Sequence, residues 1–158
     1  MGLDQIDRLD PITSLPHGYP FVLLDRVEEL SASRGVAIKN VSGNSFFSSG
    51  RPDEALFLPD VLLIEAMAQL SGLVMNFGST GKTAMVLARI STMRFVRRAV
   101  AGESISITST IESSLGAAAS FDVEASVGAV SIASGRLTLA RFAIEAPSQQ
   151  AVFETHTK

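Results

Sequence analysis

The chain has 158 residues, a formal net charge of −3, 46% hydrophobic residues and no cysteine. That length suits one domain with a sizeable core, and the missing cysteine excludes disulfides, thiol nucleophiles and thiolate metal sites. An isoelectric point near 5.3 gives no electrostatic case for nucleic acid. The two histidines, His17 and His156, stand far apart without ligand spacing, so neither a metal site nor a cofactor is expected. Mean hydropathy of +0.30 is high for a chain in water and points to apolar surface shared between subunits.

Residues 1–14 read as a polar lead-in without the apolar core of a signal peptide. Leu15-Pro-His-Gly-Tyr-Pro20 carries two prolines and a glycine, which predicts a fixed loop. Phe21–Leu30 reads as a first strand and Gly35–Val41 as a second. An irregular segment follows, rich in serine and glycine and holding the pair Phe46-Phe47.

Leu58 to Phe77 is the stretch around which the rest is organised. Pro59-Asp60 predicts a helix start with Asp60 as the cap, and from Val61 to Phe77 the only charge is Glu65. A helix so uniformly apolar has to be wrapped by its own protein or lie in a membrane. The run is short for a span and contains Glu65, Gln69 and Asn76, so a cytoplasmic protein with no membrane segment is expected. Gln69 lies one turn after Glu65 on the same face, while Ala68 and Gly72 offer room for another backbone to approach. Glu65 reads either as a carboxylate with chemistry to do or as one that bonds a neighbouring loop.

Beyond Gly78-Ser-Thr-Gly81 the period changes to two. Thr83–Val96, Glu103–Glu112, Ala118–Val127 and Val130–Ile144 read as strands, with turns at Ser113–Gly116 and Gly128. Arg89 and Arg94 are expected to be solvated or paired with acids. Residues 1–146 then make one domain, and 147–158, with His156, a loose tail. Two strands, one long helix and a run of antiparallel strands define an α+β domain in which a strongly curved sheet wraps the helix.

Several ordered blocks carry a resemblance: Leu15-Pro-His-Gly-Tyr-Pro-Phe-Val-Leu-Leu-Asp-Arg-Val27, Val36-Ala-Ile-Lys-Asn-Val41, Phe46-Phe47, Leu58-Pro-Asp-Val-Leu-Leu-Ile-Glu-Ala-Met-Ala-Gln69 and Met93-Arg-Phe-Val-Arg-Arg-Ala-Val-Ala-Gly-Glu103. Together they closely resemble the 3-hydroxyacyl-[acyl-carrier-protein] dehydratases of bacterial fatty-acid synthesis. The resemblance implies a hotdog fold, in which a long central helix is wrapped by a curved antiparallel sheet. It also implies a homodimer with joined sheets, or a trimer of such dimers, and a tunnel for an acyl chain carried on acyl carrier protein or coenzyme A.

By the resemblance, Glu65 matches the glutamate that protonates the departing hydroxyl, and Gln69 a glutamine that orients it. The helix-start amides at Asp60 and Val61 match the donors that polarise the thioester carbonyl, and Tyr19, Phe46 and Phe47 are candidate tunnel or gate residues. Two departures stand out. The segment after Phe46-Phe47 has no histidine where the family has Gly-His-Phe-Pro, and the helix-start Pro-Gly has become Pro59-Asp60. Asp53, Glu54 and His17 are the candidate substitute bases. Three readings compete: a dehydratase with an altered base, an acyl thioesterase using Glu65, and a non-catalytic subunit paired with a histidine-bearing relative.

Overall fold

The structure, a computed structural model, describes residues 10, 13, 15–44, 55–79 and 84–142. Among them the order of elements is β1 (Arg26–Leu30), β2 (Arg34–Asn40), α1 (Asp60–Met75), β3 (Ala84–Phe95), β4 (Ser104–Leu115), β5 (Ala118–Val127) and β6 (Val130–Phe142). Every pairing is antiparallel, and the strands lie in the order β1-β2-β4-β5-β6-β3.

One helix touches five of these six strands, β2 through β6. Strands lie about 4.8 Å apart and a helix is only about 10–12 Å across, so a flat sheet could not make those contacts. The sheet curls round the helix, which is the hotdog arrangement. Strict alternation builds its inner lining: Ile105, Ile107 and Ser109 of β4, and Ala119, Phe121, Val123 and Ala125 of β5, are buried while their neighbours are more exposed. Facing them, every residue of α1 from Ala66 to Met75 is buried. Fully burying one such large apolar side chain stabilises by about 1.5–3 kcal/mol. The one polar joint across this layer is satisfied: Ser71 Oγ donates to Met67 C=O at 2.8 Å and lies 2.7 Å from Ser109 Oγ.

Three boundaries differ from the sequence expectation, each for a physical reason. Only Arg26–Leu30 of the expected Phe21–Leu30 strand is a strand. The Phe21 carbonyl and Leu23 N–H are instead claimed by the Gln69 side chain, so this stretch docks on the helix and not on a neighbouring strand. Asp60 is not the helix cap. Pro59 occupies that position, with φ −56° and ψ 137°, and no side chain caps the start. Asp60 is the first helical residue, where its charge still suits the dipole. The turn expected over Ser113–Gly116 is shorter, because β4 continues to Leu115, which pairs with Ala118. Gly116 at φ +59° makes that two-residue connection, as Gly128 at φ +57° does between β5 and β6.

Among the described residues no backbone of another element comes close to Gly72, and the tightest helix–sheet contact falls at a glycine of the sheet. A Cβ on Gly72 would meet only side-chain atoms at ordinary distances, whereas one on Gly35 of β2 would come within 2.9 Å of both Leu70 and Val74. The sheet supplies the small residue, and the helix supplies the bulk. Arg89 and Arg94 are exposed on β3, the sheet edge. The last residues of the expected final strand and the 147–158 tail lie outside the described residues. Among the described residues no helix is long and apolar enough to cross a membrane.

Candidate active site

Val61, Glu65 and Gln69 share one face of α1, and that face runs from solvent into the core. Val61 is exposed, the Glu65 side chain is half-buried and Gln69 is buried. Burial makes Gln69 specific, because a buried amide has to bond its donors and acceptor. Its Nε2 donates to Phe21 C=O at 2.7 Å and to Glu65 Oε1 at 3.1 Å, and its Oε1 accepts from Leu23 N–H at 3.0 Å. One side chain thus fixes the carboxylate and ties down the segment leading into β1.

The same segment brings His17 to the carboxylate. Its Nε2 lies 3.4 Å from Glu65 Oε1, and its Nδ1 is buried with no partner among the described residues. Both contacts on Glu65 fall on Oε1, and among the described residues no hydrogen bond ends on Oε2. Tyr19 and Phe21 flank this segment as exposed aromatics, Tyr19 almost fully so. The structure therefore places Glu65, Gln69 and His17 together, with Val61 one turn towards solvent. Phe46, Phe47, Asp53 and Glu54 lie outside the described residues.

The helix start is held from the other side. Leu58 N–H donates to Ala99 C=O and Ala101 N–H to Leu56 C=O, with Phe57 bridging Val100 between them. Leu62 and Leu63 N–H both donate to Pro59 C=O. Among the described residues the donors left over in the first turn are those of Asp60 and Val61, the ones a carbonyl or anion could use. The Asp60 carboxylate beside them has Arg98 Nε at 3.9 Å, and the Arg98 guanidinium lies 4.3 Å from the Phe57 ring centroid.

The turn on which this segment leans is itself locked. Arg97 forms a two-pronged bond to the Glu103 carboxylate at 2.8 and 2.9 Å, and Val100 N–H adds a third donor at 2.9 Å. The Arg97 hydrogen bonds, then the Val100 amide, hold the Glu103 carboxyl below its ordinary range, and the carboxylate raises Arg97 in return. Sequence reasoning missed the Arg98–Phe57 stack and the Arg97–Glu103 pair. An arginine and a glutamate on either side of Gly102 were the available signal for the pair.

On the opposite face of the sheet a cavity of about 400 Å³ is lined by Thr108, Thr110, Asp122, Glu124 and Arg136 among others. Arg136 there bridges Glu112 at 2.8 Å and Asp122 at 3.1 Å, a surface network remote from Glu65 in the fold. Among the described residues no group of three or more His, Asp or Glu stands ready to hold a metal ion.

A family model for the FabA-like domain matches residues 15–136. The 3-hydroxyacyl-[acyl-carrier-protein] dehydratase FabZ of Streptococcus pyogenes serotype M3 is 36% identical over 128 residues, covering 80% of this chain and 92% of the relative. FabZ of Listeria monocytogenes serotype 4b is 40% identical over 115 residues, covering 72% and 80%. Among solved structures, the dehydratase heterocomplex ApeI:P from Xenorhabdus doucetiae superposes with a TM-score of 0.76 at 24% identity, over 85% of this chain and 92% of that one. A hypothetical thioesterase with coenzyme A from Streptococcus pneumoniae TIGR4 gives a TM-score of 0.56 at 13% identity, over 76% and 87%.

Proposed function

Because the chain belongs to the FabA-like family, we propose that it acts on 3-hydroxyacyl thioesters as a hydro-lyase, with Glu65 as its proton-transfer group. The observation that carries this reading is the Gln69 clamp, which holds one oxygen of Glu65 while the other has no donor among the described residues. In the elimination, a base takes the proton alpha to the carbonyl, the C–O bond at the beta carbon breaks, and Glu65 gives its proton to the departing hydroxyl. The products are a trans-2-enoyl thioester and water. The Asp60 and Val61 amides would hold the thioester carbonyl, where negative charge develops. Arg98 beside Asp60 offsets the carboxylate that would otherwise oppose that charge.

The second proton-transfer group is open to two sources. Asp53 and Glu54 of this chain occupy the segment in which the resemblance places a histidine. Alternatively a related subunit supplies that histidine in a heteromer, the form named for the solved ApeI:P neighbour. The free edge of β3, with Val86 and Ile90 exposed along it, is the surface on which either a second copy or such a relative would extend the sheet. The proposed carrier is acyl carrier protein, as in the names of the FabZ relatives, and the proposed location is the cytoplasm.

The test is hydration of a short trans-2-enoyl thioester by the purified protein and by its Glu65→Gln variant. The expected result is activity that falls at least about a hundredfold in the variant with no change in thermal midpoint. Hydrolysis to free thiol without hydration would favour a thioesterase instead. Silence in both assays, reversed by adding a histidine-bearing relative, would favour the heteromer.

A further inference from the structure

We infer that His17 is a positioning residue for Glu65, holding the carboxylate by Nε2 so that only Oε2 faces the substrate. This assignment rests on the hydro-lyase reading and adds to it the group that sets which carboxylate oxygen reacts. Three observations carry it. Among the described residues Nε2 is the ring nitrogen with a polar neighbour, 3.4 Å from Oε1. Nδ1 is shut away from solvent and has no partner among the described residues, so it is not placed to reach a substrate or pass a proton to water. The second contact on Oε1 comes from Gln69, whose own position is fixed by Phe21 and Leu23.

Tautomer chemistry sharpens the geometry. A neutral imidazole carries one N–H, and among the described residues the only acceptor within reach is the one facing Nε2. The ring therefore donates through Nε2 and leaves Nδ1 bare. Gln69 Nε2 already donates to Glu65 Oε1, and His17 Nε2 stands where a second donor would fix the carboxyl group about its remaining torsions. At 3.4 Å the His17 contact is not yet a formed hydrogen bond, and it is expected to tighten into one in the filled site. His17 thus spends its one donor on Glu65 and is not the base that removes the alpha proton. That work falls to the groups named above.

The experiment has a kinetic arm and a spectroscopic arm. In the kinetic arm, His17→Phe keeps a ring but no donor, and His17→Gln keeps an amide N–H close to the place of Nε2. Hydration by His17→Phe is expected to lose on the order of 10–100-fold in kcat with KM little changed, and His17→Gln is expected to recover most of it. An unchanged kcat in His17→Phe overturns the assignment. So does an equal loss in both variants with one limb of the pH–rate profile gone, since that marks His17 as a proton carrier.

The spectroscopic arm is independent of turnover. His156 is the only other histidine, so a His156→Gln background leaves a single imidazole in a long-range ¹H–¹⁵N spectrum. The expected pattern is the Nε2–H tautomer, with its shifts moved by Glu65→Ala. A Nδ1–H tautomer, or shifts indifferent to Glu65, overturns the assignment. If the protein proves inactive in hydration while the tautomer and its dependence on Glu65 hold, the hydro-lyase reading fails and the His17–Glu65 pairing stands.

Discussion

From Ala66 to Met75 the helix is sealed beneath the sheet, whereas from Asp60 to Glu65 it opens towards solvent, with Val61 69% exposed and Leu63 as the one fully buried anchor. The inner stretch is apolar, and its only polar pair, Ser71 and Ser109, is satisfied internally. Near the outer stretch gather Glu65, Asp60, His17 and Arg98, and among the described residues one Glu65 oxygen and the Asp60 and Val61 amides have no partner. A single helix can therefore hold the fold together at one end and present chemistry at the other. Gln69 sits at the seam, buried like the first region and bonded like the second.

The sharpest way to break the contrast is to damage only the sealed half. Phe121→Ala removes a fully buried ring that faces the helix and should cost about 3–5 kcal/mol in denaturant unfolding. The residual folded fraction should retain its kcat. Gln69→Ala acts on the seam and should damage both properties at once. It leaves the buried Leu23 N–H without its partner, at about 1–3 kcal/mol, and it removes the donor that holds Glu65. A variant that loses stability but keeps full activity would show the seam to be structural only.

Gly35→Ala tests the sealed half more gently. The added methyl would press on Leu70 and Val74, and overpacking of this kind costs about 1–3 kcal/mol, read as a lower unfolding midpoint. The smallest effect belongs to the locked turn behind the helix start. Glu103 is held below its ordinary value, so its pairing contributes fully above the ordinary glutamate value of 4.5 and is lost as pH falls through the lower folded value. The gap in thermal midpoint between the wild type and Glu103→Gln should be constant near neutral pH and close below that value. A gap that persists at acid pH would show that shape, and not charge, makes the contact.

The sealed half was the legible half. A charge-free helical run, strict alternation in β4 and β5, and glycines at Gly116 and Gly128 each reflect one local rule that the packing also obeys. The open half depends on long-range partners, which periodicity does not encode. Phe21–Leu24 is apolar enough to pass for strand, and nothing local shows that a glutamine far along the chain takes its backbone groups. Likewise Glu65 was legible as an isolated charge and His17 as a candidate base, but their contact was not, because only the docking of the first segment brings them together. Asp60 was misread as a cap because Pro59 already supplies the turn into the helix.

The Gln69 clamp also orders events in time. Its partners Phe21 and Leu23 precede β1, so the helix can form without them, but the carboxylate cannot be held until the beginning of the chain has closed a long loop onto it. Activity regained during refolding should therefore follow the docking of this first segment and lag behind recovery of helical signal.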